Sequence, residues 1–452
     1  MKEVRLERTL RLPRVGDGDT FDVVVAGGGA SGLMAGVAAA RLGARALLIE
    51  ASGAFGGAAT RNMVAQWLGF YNGEECAVRG LPLEFADRVV KRGGSIGFER
   101  YVLAEATTNP LPLRRFAFNP EIVKILADEL VVESGAAALL HSRVVSLEKR
   151  ADRIVSVAIE TEGGRLTIAG RCFIDASGDA VLARHAGAAC IGVPAGEHRM
   201  GMSQVFRLSG VDIDAFRAVS RADKRAVALA GIASGDLFWD VLSVAPVGSS
   251  DAICLMSHID GFDSLDPSDL TQAELIGRYQ VDRIATYLKA RMPGFERSEI
   301  AGIASHIGVR ESVRLEGDYQ LTEHDVVAAA RFEDSIALGC GPLDVHEEGG
   351  RLRLFMPPKP FQIPLRCMTT SAVRNLLVTG RAMSATRAAN GAIRHQATAM
   401  ALGQAAGHAA VAALQRDGAC MQGDAAAVQA SLRAAGAIFE PSQARAQVAA
   451  AE

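Results

Sequence analysis

Apolar positions change their spacing several times along the chain, and each change marks an element. Residues 21–26 (Phe-Asp-Val-Val-Val-Ala) are almost continuously apolar, the pattern of a parallel strand covered on both faces. Residues 31–42 are alanine-rich and predict a helix, and 46–49 (Ala-Leu-Leu-Ile) predict a second buried strand. Residues 81–91 read as a helix. So do residues 119–134, with Ile122, Ile125, Leu126, Leu130 and Val131 at helical spacing. From 138 to 173 the period falls to two. Val144, Val145, Leu147, Ile154, Val157, Ile159, Leu166 and Ile168 lie in short runs broken at Ala151-Asp152 and Gly163-Gly164, which predicts an antiparallel meander. A buried strand over 172–176 follows and ends in Ser177-Gly178-Asp179.

Beyond about Cys190 the texture changes. Strand-like runs (203–208, 241–247, 252–259) alternate with helical ones (212–230, 269–291), as in a mixed α+β insertion. Residues 375–380 (Asn-Leu-Leu-Val-Thr-Gly) form another short buried run. Residues 398–414 predict a long helix of small residues, in which Gly403 and Gly407 allow close approach to a second element. The tail after Arg416 predicts one more peripheral helix. No internal repeat is present.

The junction between the first strand and the first helix carries chemistry. Gly27, Gly29 and Gly32 spell G-x-G-x-x-G between a strand and a helix. The first glycine permits a tight turn, the second lets the backbone approach a pyrophosphate, and the third lets helix and strand pack closely. The helix N-terminus offers unpaired N–H groups and the positive end of its dipole. The second strand ends at Glu50, about 20 residues beyond the turn, where a carboxylate accepts the hydroxyls of an adenosine ribose. This is a dinucleotide-binding arrangement.

Composition narrows the class further. The 452 residues are 49% hydrophobic and 22% charged, so the chain is globular and long enough for two or three cored domains. A net charge of −3 gives no reason to expect nucleic acid or an anionic membrane as partner. The seven cysteines are odd in number, irregularly spaced and free of C-x-x-C pairs, which points to free thiols rather than a disulfide framework or a metal site. The N-terminus lacks the apolar core of a signal peptide, and no run reaches about 18 uninterrupted apolar residues. The expected location is the cytoplasm, with no membrane span.

Taken in order, the blocks GGAAT (56–60), FIDASGDAVLARHAGA, GMSQVFRLSGVD, GVRESVRLEGDYQLTEHD, FQIPLRCM and NLLVTGRAMSATRAANGAIRHQATAMALGQAAGHAA form a set. With the dinucleotide turn, this set resembles the FAD-dependent oxidoreductase family, within the glutathione-reductase-like flavoproteins and distantly related to fumarate reductase flavoprotein subunits. The resemblance runs from Phe21 to about Leu414. It implies an α/β fold: a Rossmann-like FAD-binding domain with a parallel sheet and an antiparallel β-meander, plus an inserted α+β substrate domain. The expected division is an arm (1–20), the first part of the FAD-binding domain (21–189), the inserted domain (190–370), the second part of the FAD-binding domain (371–416) and a helical tail (417–452). Cofactor contacts implied by the resemblance fall on Gly27, Gly29, Ala30, Ser31, Gly32, Glu50 and Ala51. They continue at Gly56, Gly57, Ala58 and Thr60, at Val144, and at Ala176, Ser177, Gly178 and Asp179. Gly380, Arg381, Gln396, Ala397 and Thr398 complete the set. Relatives in the fumarate reductase group anchor the flavin through a histidine after the second strand. None occurs between Glu50 and Gly94, so non-covalent FAD is expected. Cys367 is either an attachment point, a redox thiol or a buried structural residue.

A flavin performs the electron chemistry, and the protein places the substrate and handles its proton. Arg310 and Arg314 bracket Glu311, and each either clamps a substrate carboxylate or pairs with Glu311, Glu316 or Asp318. His306 is a candidate proton shuttle. Arg366 is a further candidate for anion binding, and Tyr319 for donation to a substrate oxygen. Arg394 and His395 are expected at the reactive end of the flavin, after a chain break at Asn390-Gly391 and before the last long helix. The function expected is a dehydrogenase, oxidase or reductase acting on a small, anionic organic molecule, with an unidentified electron acceptor. Two other classes stay open. A monooxygenase- or halogenase-like flavoenzyme is weakly echoed in residues 178–184 and 359–364, and a non-catalytic FAD-binding subunit is the third class.

Overall fold

The valine-rich run forms the strand Thr20–Ala26 in the computed structural model, which describes residues 11–102, 112–194, 196–346, 352–420 and 425–445. Residues 1–10 of the expected arm and 421–424 and 446–452 of the expected tail lie outside these described residues. Strand Thr20–Ala26 is central to a seven-stranded sheet because both its faces are apolar. It pairs in parallel with Ala46–Ile49 on one side and with Gly164–Asp175 on the other. Ala137–Leu139 extends the sheet past Ala46–Ile49, and Leu376–Val378 joins it in parallel beside Phe173–Asp175. The meander is present as Arg143–Arg150 and Arg153–Thr161, antiparallel to the first half of Gly164–Asp175.

One difference concerns that third strand. The expected separate runs around 166–168 and 172–176 are a single 12-residue strand. Gly170 does not break it, because the missing side chain lets Phe173 and Val24 close over the position. The strand therefore passes from the antiparallel meander into the parallel sheet without a turn.

Two helices lie against each other at backbone contact. Ala30–Arg41 opens at the glycine turn, and Gln396–Leu414 crosses it. A Cβ on Gly403 would lie 2.0 Å from the Ser31 carbonyl oxygen, and one on Gly407 would lie 2.5 Å from that of Ala35. The close approach expected from Gly403 and Gly407 is thus to the glycine-turn helix. Gln396–Leu414 is long and apolar enough to cross a membrane, but 78% of that stretch is packed inside the protein, the setting of a core helix. Asn119 caps Pro120–Ser134 by accepting from the Glu121 N–H, and Leu81–Lys91 matches its expected bounds.

A second, four-stranded antiparallel sheet runs in the order Val244–Val247, Asp251–Cys254, Phe206–Ser209, Glu299–Ile303. Helix Pro267–Arg291 packs on it, burying Ile284 and Leu288 with Phe206, Leu208 and Phe295. The single helix expected over 212–230 is two, Ile213–Ala218 and Arg221–Ser234. Val219 and Ser220 are extended, and the Ser220 hydroxyl caps the second helix at Asp223 N–H, which ends the first. All seven cysteines are free, and the Cys172 and Cys420 sulfurs approach to 3.3 Å as thiols.

Gly403→Ala tests the helix contact. A methyl 2.0 Å from a backbone oxygen forces the helices apart, so we expect a loss of about 1–3 kcal/mol of stability or more. The thermal midpoint should fall by several degrees, while alanine at the exposed Gly192, which is not left-handed and has open space at its Cβ position, should leave it unchanged. An unchanged midpoint for Gly403→Ala would show that the helices do not touch there.

Candidate functional site

The parallel strands end level with one another. Ala26 is opposite both Ile49 and Asp175, and Asp175 is opposite Val378. Gly27, Glu50, Ala176 and Thr379 therefore emerge side by side at the carboxyl edge of the sheet, where open α/β sheets bind ligands. Gly27 is left-handed (φ +100°) and packs on the Ala176 backbone; a Cβ on Gly32 would strike the Gly27 oxygen at 1.8 Å. The Cβ position of Gly29, in contrast, meets nothing closer than Gly57 at 4.0 Å. The second glycine thus leaves a cradle beside the helix N-terminus, bounded by the doublet Gly56-Gly57.

Glu50 is buried, and its carboxylate accepts from the Gly28 N–H at 2.7 Å and from Ser52 N–H and Oγ at 2.8 and 2.7 Å. Arg61 lies 3.6 Å away, with its Nε unpartnered. Thr60 Oγ1 donates to the Phe55 carbonyl and fixes the glycine-rich loop from within. Ser31 and Thr379 hydroxyls share a hydrogen bond of 2.8 Å, tying the turn helix to the last strand. Asp175, at the end of the third strand, accepts from Ser177 and from the Leu182 and Ala183 N–H groups; burial nevertheless raises its pKa. Arg381 donates to the Gly178 and Val309 carbonyls and to Asp179, so both charged residues are occupied within the protein. Gly380 is left-handed (φ +71°) against Ser31. Ala51 is exposed beside Glu50, Ala58 sits in the turn Gly57–Ala59, and Val144 is buried behind the sheet edge opposite Ile159.

The helix Gln396–Leu414 points its N-terminus at this region. Its first N–H groups, on Gln396, Ala397 and Thr398, have no intrahelical partner, and His395 supplies no side-chain cap. The buried Thr398 hydroxyl has no partner, whereas Gln396 bridges Trp67 and the Val64 carbonyl. Asn390 and Gly391 do not break the chain as expected. They lie inside the helix Arg387–Ile393, where the missing side chain of Gly391 admits the Asp344 backbone at 2.8–3.2 Å. The break falls at Arg394 and His395 instead.

Around that break gathers a buried polar cluster. Arg394 donates to the Asp344 carboxylate at 2.8 Å and to its carbonyl at 2.9 Å. Asp344 also lies 3.2 Å from His346 Nε2. Burial would raise the Asp344 pKa, but Arg394 and His346 hold the carboxyl well below its usual range. His258 Nε2 is 2.5 Å from Asp260, and Trp239 stands edge-on to both His258 and His346, at 4.6 and 5.3 Å. Burial and Arg310 push His346 down to about 4, and burial lowers His258 against the pull of Asp260. Arg310 donates to the Gly201 carbonyl and has no ion pair among the described residues. Burial and the neighbouring Arg394 lower it to about 10. Glu311 is taken by Arg314 at 3.2 Å and Arg387 at 2.9 Å. Four guanidiniums thus face three carboxylates, leaving one positive charge in excess. His258 Nδ1, His346 Nδ1, His198 Nε2, Asp260 Oδ1 and Arg394 Nε are buried without a hydrogen-bond partner among the described residues.

Of the expected catalytic residues, Arg310, Arg394 and His395 are brought together. His395 Nε2 hydrogen-bonds the Pro342 carbonyl at 2.9 Å; a carbonyl only accepts, so Nε2 carries the hydrogen. Burial and Arg394 lower the His395 pKa, opposed by Asp344. His306 is placed elsewhere. It is exposed among Arg61, Glu274 and Glu50, at the other end of the sheet edge. Arg314 serves Glu311, Arg366 is bound by Asp334 and Tyr319 by Asp325. Cys367 is fully buried, and burial raises its thiol pKa. The sequence reading passed over Arg61, Trp239 and the two dyads. The dyads were legible as His-x-Asp at 258–260 and Asp-x-His at 344–346. A separate cleft of about 200 Å³ between Met63–Gln66 and Ser243, Ala245, Ile253 and Leu255 contains none of these titratable groups.

Comparison with known proteins adds a family. The family described as FAD dependent oxidoreductase matches residues 22–432, and the chain belongs to it, with FAD as its cofactor. No curated protein sequence matches the chain significantly. Among solved structures, a geranylgeranyl bacteriochlorophyll reductase-like protein from Thermoplasma acidophilum is similar at 14% identity, with 92% of this chain and 84% of that one covered and a TM-score of 0.46. The p-nitrophenol 4-monooxygenase of Pseudomonas putida is similar at 12% identity, covering 89% and 82%, also with a TM-score of 0.46. The L-amino acid deaminase of Proteus vulgaris is similar at 10% identity, covering 92% and 98%, again at 0.46.

The residues present fit FAD. The Gly29 cradle, the two converging helix N-termini, the buried Glu50 and the unpartnered Arg61 Nε and Thr398 Oγ1 offer acceptors and donors along one edge. Glu50 is the residue to test. Glu50→Ala should weaken FAD binding by about 1.5–3 kcal/mol, the scale of hydrogen bonds to a charged acceptor. Fluorescence titration of apoprotein with FAD measures this, and equal affinity in mutant and parent would remove Glu50 from the ribose.

Proposed function

We propose that the protein is an FAD-dependent dehydrogenase-type oxidoreductase that oxidises a small anionic organic molecule. One observation carries the reading. Arg310 is a largely desolvated guanidinium that hydrogen-bonds a neutral carbonyl and makes no direct ion pair among the described residues, with Asp344 and Asp260 acting on it only at longer range, in a cluster with one positive charge to spare. A buried charge is costly unless paired, and a substrate carboxylate supplies the missing partner. Its planar fork suits bidentate binding.

Bound non-covalently, FAD supplies the two-electron acceptor. The carboxyl edge from Gly27 to Glu50 suits its ADP half, with Gly56, Gly57 and Thr60 beyond. The first turn of Gln396–Leu414, with the adjacent Arg394, suits the end of the cofactor where negative charge accumulates on reduction. Arg310 orients the substrate by its anionic group. Burial of the cluster excludes water, which strengthens each of these contacts. His258 and His395 both qualify as proton acceptors, since burial lowers the pKa of each and favours the neutral ring near pH 7.

Anaerobic reduction of the FAD-loaded protein by hydroxy acids, amines, enols and neutral sugars, followed by air, tests the reading. Anionic members should bleach the flavin absorbance and their neutral amides or esters should not. Arg310→Lys keeps the charge but loses the fork, so the apparent affinity for the active compound should fall about tenfold or more, as expected for a lost charge-assisted hydrogen bond. Equal reduction by neutral analogues, or a parental response in Arg310→Lys, would return Arg310 to a purely structural role.

A further inference from the structure

We propose that His258, held by Asp260, is the catalytic base of this oxidation and that the molecule oxidised is a 2-hydroxycarboxylate. The proposal rests on the preceding reading of the site as one for an anionic substrate. It starts from geometry around Gly201. The Gly201 carbonyl accepts from Arg310. A Cβ on the same residue would lie 2.4 Å from His258 Cε1, 2.5 Å from Asp260 Oδ1 and 2.7 Å from His258 Nδ1. Arg310 and the His258–Asp260 pair thus pack on a single residue that has no side chain to separate them. A 2-hydroxycarboxylate is the substrate whose carboxylate and hydroxyl lie close enough together to use both groups.

His258 is built as a base. Its Nε2 faces Asp260 Oδ2 at 2.5 Å, so with the carboxylate ionised Nε2 carries the hydrogen and Nδ1 the lone pair. That Nδ1 is buried and has no partner among the described residues. The backbone on both sides of the ring is gripped by Gln280, whose Oε1 accepts from His258 N–H at 2.8 Å and whose Nε2 donates to the His258 carbonyl at 2.7 Å. Asp260 raises the basicity of the ring, while burial, Arg310 and His198 lower it, and the uncharged Trp239 closes the edge. The ring is thus neutral before reaction, and a carboxylate is in contact to stabilise the imidazolium afterwards.

The other histidines lack this combination. His395 is the residue before a 19-residue helix, so a proton on its ring would meet the positive end of the dipole as well as Arg394. His346 shares its aspartate with Arg394 and is held at about 4. A neutral Nδ1 serves as base toward a hydroxyl, which brings a proton but no charge; an ammonium group would instead be drawn to the buried Asp260 Oδ1.

The step balances. The hydroxyl proton passes to His258 Nδ1, the hydrogen on the carbinol carbon leaves with its electron pair to the bound FAD, and the C–O single bond becomes C=O. The substrate loses two electrons and two hydrogens, and the imidazolium later returns its proton to solvent. Asp260 is a positioning residue that acts through His258.

The experiment uses FAD-loaded parent, His258→Ala, Asp260→Asn and His395→Gln. Each is mixed anaerobically with glycolate, both lactates, malate and glycerate, and with alanine and glucose as contrasts. Binding of oxalate, which has no carbinol hydrogen, is measured by calorimetry on the same proteins. Hydroxy acids should bleach the flavin in the parent. His258→Ala should bleach about 10²-fold more slowly, the usual scale for a lost general base. It should bind oxalate within about twofold of the parent, because the carboxylates rest on Arg310 at no cost to that contact, and it should recover rate with added imidazole. The parental rate should rise with pH as His258 loses its proton. In Asp260→Asn that rise moves to lower pH, since the carboxylate no longer supports the imidazolium. His395→Gln keeps the donor to Pro342 and tests the rival base: loss of the pH-dependent rise in this variant, with the rise kept in His258→Ala, would overturn the assignment of His258. Parental rates in His258→Ala, or oxalate binding retained without imidazole rescue, would overturn the assignment of His258. Bleaching by alanine or glucose but by none of the hydroxy acids would overturn the substrate class. Failure of every compound to bleach, with no oxalate bound, would instead sink the anionic-substrate reading and this proposal with it.

Discussion

The contact between the backbones of two helices governs the rest of the molecule. Gly32 sits on the Gly27 carbonyl and Gly403 on that of Ser31, at distances no side chain permits. Close packing here is what carries the far end of the chain to the first strand. Once Gln396–Leu414 lies across Ala30–Arg41, Thr379 reaches Ser31, and the third and last parallel strands end level with the first. Two helix N-termini then converge on one edge, and their unpaired N–H groups create a demand for negative charge that neither would make alone. Any residue larger than glycine at these positions would separate the termini and dissolve the edge as a binding surface.

The same crossing forces a second constraint. Because Gln396–Leu414 is buried to its first residue, the chain must enter it from inside the protein, through Arg394 and His395. Those side chains cannot reach bulk water freely, so the structure surrounds them with partners. Asp344 takes Arg394, the Pro342 carbonyl takes His395, and Gly341 and Gly69 leave space for the imidazole. Glu311 is shared between Arg314 and Arg387, one carboxylate between two guanidiniums. Paired buried ions contribute little net stability, but removing one member would leave a charge uncompensated at a cost of about 3–5 kcal/mol. Arg310 differs in making no direct ion pair among the described residues, with Asp344 and Asp260 acting on it only at longer range. A protein tolerates that for a guanidinium, which is weakly hydrated, more readily than for an ammonium.

Local elements were legible in the sequence wherever one physical signal dominated. The continuous apolar runs at 21–26 and 46–49 gave buried parallel strands, Asn119 and Pro120 marked a helix start, and G-x-G-x-x-G located the ligand edge. Misreadings arose where a residue had two uses. Gly391 suggested a break, yet its value is the approach of Asp344; Gly170 lets side chains close over a strand that continues; Ser220 capped a helix inside what read as one helical run. The polar cluster was only partly visible for a different reason. Arg310, Arg394 and His395 stood out as charges beside recognisable blocks. His258 with Asp260, Trp239, and His346 come from separate segments, and only the tertiary fold brings the two histidines against one indole. Their spacing as i, i+2 pairs put each histidine and aspartate on one side of an extended chain, but nothing local says the two pairs meet at one tryptophan.

That arrangement separates two tasks that compete in a single group. A residue that stabilises negative charge on a reduced cofactor works best where the local field is positive, and that field is supplied by a helix N-terminus and Arg394. A residue that accepts a proton needs the opposite field, because it must become a cation. Placing both tasks on His395 would set the helix dipole against protonation, whereas His258 has Asp260 in contact for that purpose. Arg310 lowers the pKa of His258, so an empty site keeps the base unprotonated; an anion on Arg310 screens that influence and raises the basicity of the ring when a substrate is present. The unpaired arginine thus couples substrate binding to proton acceptance through charge alone, with no movement of the backbone.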